Sequence, residues 1–168
     1  LPDGENYYNF RLAQMTTLEF TADEIHEIGL AEVERLHLAM EKIKTAVDFE
    51  GSLEDFFVFM REDDRFYFPN TDEGRQDYLD LNNEYLDAIK LKLPDYFGRL
   101  PKAQLEVRRV EYFREQPGAA QHYASGTPDG SRPGVFYSHM SDMSTLPIFQ
   151  LEDVAYHEGS PGHHMQIS

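Results

Sequence analysis

Residues 156–166 read Tyr156-His157-Glu158-Gly159-Ser160-Pro161-Gly162-His163-His164-Met165-Gln166, and the spacing of their histidines decides how the rest of the chain is read. Three of the seven histidines lie here beside one carboxylate. Imidazole is the commonest side-chain metal ligand, and a glutamate adjoining a ligating histidine is placed to take a proton from water. A zinc-hydrolase helix ordinarily sets its two histidines four apart, because residues i and i+4 share a face. In this stretch His163 and His164 follow His157 by six and seven positions. On an unbroken helix six residues turn through about 240°, and seven return to the starting face about 10 Å further along. Neither histidine can share an ion with His157 unless the helix is interrupted. The intervening residues suit an interruption: Gly159 and Gly162 relax the backbone, while Pro161 removes an amide donor and disfavours the α region at Ser160. Two readings stay open on spacing alone. One is a break that folds a later histidine back beside His157; the other is a helix ending at Glu158, a turn, and a second helix with incidental histidines.

Upstream of the motif, Phe149 to Glu158 is a predicted helix with Leu151, Val154 and Ala155 on its inner face. Val135 to His139 is a predicted strand, delivered by the turn-forming stretch from Gly126 to Gly134, and residues 105–112 alternate imperfectly, as an edge strand does. Further back the pattern is helical. Thr21-Ala22-Asp23-Glu24 has the form of a capping box, and Val33, Leu36, Met40, Ile43 and Val47 make one stripe along a helix over 22–47. A short helix is expected over 5–17, and another is capped at Ser52 and runs through Phe56, Phe57 and Met60. A fourth starts at Thr71 and runs to about Leu93, with Tyr78, Leu81, Tyr85 and Ala88 or Ile89 inward and Pro94 closing or kinking it. The expected fold is mainly α with a small β section, an α+β arrangement. Residues 1–100 form the helical region and 101–168 the β section leading into the first metal-motif helix, within one continuous domain.

The 168 residues suffice for one cored domain, and no apolar run is long enough to span a bilayer. The absence of cysteine excludes disulfides and thiolate metal sites in this chain. A formal net charge of -16 repels phosphate backbones and anionic headgroups, which excludes nucleic acid and membrane surfaces as expected partners. The opening Leu1-Pro2-Asp3-Gly4 reads as the middle of a longer protein.

The motif from His157 to Gln166 resembles the His-Glu-x-x-Pro-Gly-His-His-x-Gln signature of a bacterial family called domain of unknown function 885, which in turn resembles gluzincin-type zinc metallopeptidases. The resemblance extends to Asp129-Gly130-Ser131-Arg132-Pro133-Gly134-Val135-Phe136-Tyr137 and to Thr21 through Leu30. It implies a piece of a larger helical zincin-like fold acting on a peptide substrate. It also implies Zn²⁺ held by His157 and His163, Glu158 as the general base, and His164 as a supporting group or the alternative ligand. The third ligand, a glutamate on a later helix, is not in this chain, so the 168 residues alone are expected neither to hydrolyse peptides nor to hold zinc tightly. Family resemblance further suggests an exported or lipoprotein-like bacterial protein.

The segment Val135–His139, or its neighbour, is a candidate for pairing with an extended substrate, with a role purely in the core as the competing reading. Tyr137 and His139 are candidate substrate contacts. Arg132 is a candidate for a substrate carboxylate or for a loop-ordering ion pair. Asp142 and Glu152 are candidates for orienting a ligating imidazole, whereas His26, His37 and His122 read as surface or cap residues. Two other functions compete with the peptidase: a non-catalytic helical binding or scaffold module, and a metal-dependent hydrolase of a non-peptide substrate.

Overall fold

The computed structural model describes residues 2–168, of which the part ending at Phe59 and the part Met60–Ser168 form separate compact units. The first unit is helical. Helix α1 spans Gly4–Thr16 and α2 spans Ala22–Ala46. The expected capping box is formed: the Thr21 hydroxyl accepts from the Glu24 amide, and the Glu24 carboxylate accepts from the Thr21 amide at 2.8 Å. Helix α3, Leu53–Glu62, starts with the same chemistry, since Ser52 Oγ accepts the Asp55 amide and Asp55 accepts the Ser52 amide. Phe49, Phe56 and Phe59 gather with ring centroids 5.0–6.2 Å apart.

In the second unit, α4 spans Asp72–Lys90 and opens on Thr71, whose side chain accepts the Gly74 amide. Its fully buried line is Tyr78, Asn82 and Leu86, with Leu81 and Tyr85 only partly covered. Asn82 meets part of its hydrogen-bonding need there, its Nδ2 donating to the Tyr78 carbonyl at 2.8 Å while Oδ1 has no hydrogen-bond partner among the described residues. Pro94 lies beyond the end of α4. The helix ends at Lys90, and Pro94 sits in the first turn of α5, Leu93–Tyr96, where its missing amide costs nothing.

Three strands follow: β1 (Leu105–Arg109), β2 (His122–Ala124) and β3 (Gly134–Ser138). They pair in the order β1-β3-β2, with β3 parallel to β1 and antiparallel to β2. The segment expected over 135–139 is therefore the middle strand, hydrogen-bonded on both sides. It has no free edge for a substrate; β1 and β2 are the edges. Phe136, Leu86 and Ala155 form one buried cluster, with Leu105 and Val107 of β1 packed against it. The inner face of the sheet thus lies on α4 and on α6, Leu151–Glu158. A second cluster joins Tyr78 to Met140, Met143 and Leu151. Helix α7, His163–Ile167, ends the chain. The result is the expected mainly helical α+β fold, and the composition change after Gly98 falls inside the second unit.

Candidate metal centre

The helical break required by the histidine spacing lies between α6 and α7. Helix α6 ends as the Gly159 amide reaches the Ala155 carbonyl at 2.8 Å. The chain then tightens: the Gly162 amide donates to Tyr156 O at 2.9 Å, and the His164 amide to Gly159 O at 2.9 Å. The Ser160–Pro161 peptide is cis. Only glycine fits at 162, because a β-carbon there would overlap the carbonyl oxygens of Tyr156 and His157. This fold-back converts six residues of separation into ring contact. The His157 and His163 ring centroids lie 4.8 Å apart, edge to face.

Glu158 sits between them. Its Oε1 is 4.0 Å from His157 Nε2, and its Oε2 is 4.0 Å from His163 Nε2. The Glu158 side chain is 10% exposed, against 69% for His157 and 36% for His163. Glu158 Oε2 is buried with no hydrogen-bond partner among the described residues. A carboxylate oxygen in that state normally has an ion, a water or a donor aimed at it. One ligand atom from each of His157, Glu158 and His163 lies within 4.8 Å of the others, a group able to hold a metal ion.

His164 points elsewhere. It is 4% exposed, with Nε2 3.1 Å from the Ala103 carbonyl and Nδ1 2.9 Å from the Tyr123 hydroxyl. Burial pushes its pKa below the usual imidazole range, against the hydrogen bond to Ala103. Tyr137 and His139 form another cluster. Tyr137 stacks on His122 at 5.4 Å with the Arg114 guanidinium over its ring, and His139 lies 5.5 Å from His122. Since Phe136 faces the core, its neighbour Tyr137 projects from the opposite face of the sheet. His139 is likewise pushed to lower pKa, first by burial and then by His122. Arg132 is exposed, and its main chain is tied to Thr127 in the loop before β3. Asp142 is used locally, accepting from the Ser144 amide and hydroxyl. Glu152 accepts from the Tyr156 hydroxyl at 2.8 Å; burial and this contact push Tyr156 up to about 12.

Ala103 and Tyr123 at this centre carry no signal in the sequence, and Gly134 shows there only as a turn former before the strand. Each meets His164 through the tertiary fold alone, Tyr123 from 41 residues away.

None of the curated proteins matches the chain. Among solved structures, the "putative lipoprotein from Colwellia psychrerythraea" is 32% identical with a TM-score of 0.84, over 99% of this chain and 28% of that one. The present chain therefore spans little more than a quarter of that protein's length. No helix among the described residues is long and apolar enough to cross a membrane. Residues 2–168 match the family model described as bacterial protein of unknown function, DUF885, and the chain belongs to that family.

Proposed function

We propose that this chain supplies the first half of a zinc-dependent hydrolytic site, with a peptide bond as the target. The observation that carries the reading is the group of His157, Glu158 and His163, gathered within 4.8 Å across a broken helix around a buried carboxylate oxygen that has no hydrogen-bond partner among the described residues. The two imidazole nitrogens of His157 and His163 are donors that suit zinc, Glu158 is left free to act as base, and a third ligand would come from the remainder of the longer protein. When bound, zinc supplies the Lewis acidity that polarises a carbonyl and activates water.

The chain's own residues do the rest. His157 and His163 present their ring nitrogens from the two sides of the break. Glu158, held between them and largely shielded from solvent, accepts the proton of the attacking water and returns it to the leaving amine. The similar protein from Colwellia psychrerythraea, described as a "putative lipoprotein", is compatible with export of the intact protein.

The decisive experiment is Glu158→Gln in the intact protein, assayed on a peptide panel with zinc content measured in parallel. We expect turnover to fall by about 10²–10⁴ with zinc content unchanged. Undiminished turnover would remove the general-base role. Turnover by the 168 residues alone would remove the need for an outside ligand.

A further inference from the structure

We propose that His164 is a positioning residue. Clamped between the Ala103 carbonyl and the Tyr123 hydroxyl, it fixes the first turn of α7 so that the adjacent His163 turns its ring toward His157. This inference rests on the zinc reading above for its purpose, though the clamp itself is a matter of packing and hydrogen bonds.

Helix α7 has five residues, too few to hold its own conformation in water. Its order must come from outside contacts, and His164 is its one fully buried side chain. A carbonyl oxygen can only accept, so His164 Nε2 carries the proton and donates to Ala103 at 3.1 Å. Nδ1 is then the acceptor for the Tyr123 hydroxyl at 2.9 Å. Both ring nitrogens are committed, which leaves none for an ion, while His163 has a ring nitrogen facing Glu158. Ser168 Oγ closes the same cluster, 3.2 Å from the Tyr123 hydroxyl and 3.4 Å from His164 Nδ1.

The sheet is shaped to admit this pair. Gly134, the first residue of β3, lies directly beneath it. A β-carbon there would overlap the Tyr123 hydroxyl and come within 2.7 Å of His164 Nδ1. Segments near residues 103, 123 and 134 thus converge on one ring of a helix that carries a proposed ligand at its preceding position. Groups that hydrogen-bond around a metal site typically change metal affinity by 10–100-fold when removed.

The test uses the intact protein and the variants Tyr123→Phe, Gly134→Ala, His164→Gln, His164→Ala and His163→Ala. Zinc affinity is measured by chelator competition, and amide exchange is followed at residues 163–167. Tyr123→Phe keeps the ring and loses only the hydroxyl; we expect zinc affinity to fall about tenfold and exchange at 163–167 to quicken. Gly134→Ala should do the same or more. His164→Gln, which keeps an N–H for Ala103, should retain more affinity than His164→Ala. His164→Ala abolishing zinc binding as completely as His163→Ala would make His164 a ligand and overturn the proposal. Affinities within twofold of wild type for Tyr123→Phe and His164→Ala would overturn it too. If the wild type binds no zinc, the metal reading fails on its own. The clamp is then judged by exchange, and unchanged exchange in Tyr123→Phe refutes it.

Discussion

Helix α2 is 25 residues long and buries none of its side chains, whereas α6 is eight residues long and buries Leu151, Ala155 and Glu158. The contrast extends to the units they belong to. Among the described residues up to Phe59, only Phe56 is buried; from Met60 onward the buried set includes Tyr78, Phe136, Met140, Met143, Leu151 and Ala155. Both helices have apolar faces and both follow clear start signals. An apolar stripe with a cap therefore specifies that a helix forms, and says nothing about what the stripe packs against. Long-range contact separates the two regions: the α6 face meets a sheet and a helix, and that meeting sets the geometry of the candidate centre.

The contrast is open to attack by mutation, most strongly at the middle strand. Phe136 is 0% exposed and packs on Leu86 and Ala155, directly behind the motif helix. Phe136→Ala should cost about 4 kcal/mol in urea denaturation, through lost transfer energy and a cavity the sheet cannot close. A cost below about 1 kcal/mol would mean that this core is no better packed than the surface of α2.

A smaller effect is expected where the second unit relies on charge. The Glu115 side chain is 2% exposed, and it binds Arg109 at 2.7 and 2.9 Å and the Met140 amide at 2.8 Å. The Arg109 guanidinium holds its carboxyl below the usual range, with the Met140 amide assisting, against the cost of burial. Glu115→Ala should cost about 2 kcal/mol at neutral pH. Because the folded pKa lies below the unfolded one, the stabilisation is complete above the unfolded value near 4.3. It fades as pH falls through the lower folded value. The stability gap between wild type and Glu115→Ala should therefore close in acid. A gap that stays constant down to about pH 2 would assign the loss to packing instead.

Local chemistry made much of this legible in advance. Thr21, Ser52 and Thr71 each announce a helix through a side chain that accepts an early amide, and each does so in the fold. The break between His157 and His163 was readable because Gly159, Pro161 and Gly162 are physically unsuited to continuing a helix. What stayed hidden depends on partners distant in sequence. Strand β2 has three residues and exists by pairing with β3, so His122 to Ala124 look like loop in isolation. The inward line of α4 runs through Asn82, a residue hydropathy places outside, whose Nδ2 donates to the Tyr78 carbonyl while its buried Oδ1 has no hydrogen-bond partner among the described residues. His164 reads as a ligand candidate from its type and position, while its engagement by Ala103 and Tyr123 is visible only once strands and helix meet.

The mildest effect should come from α2, and it bears most directly on what the comparison means. Val33 and Leu36 belong to the apolar stripe, yet they are 51% and 40% exposed. Leu36→Gln isolates burial, since leucine and glutamine have nearly equal helix propensity. In the 168-residue chain the cost should stay within about 0.5 kcal/mol, as for an ordinary surface position. Fully burying a leucine side chain is worth about 1.5–3 kcal/mol, so a partner for the stripe would raise the cost several-fold. Urea denaturation of Leu36→Gln in this chain and in the intact protein reads that difference directly. A cost of about 2 kcal/mol in the 168 residues themselves would show that the stripe is already covered. The difference between α2 and α6 would then be one of degree, with both helices held by packing rather than one by its cap alone.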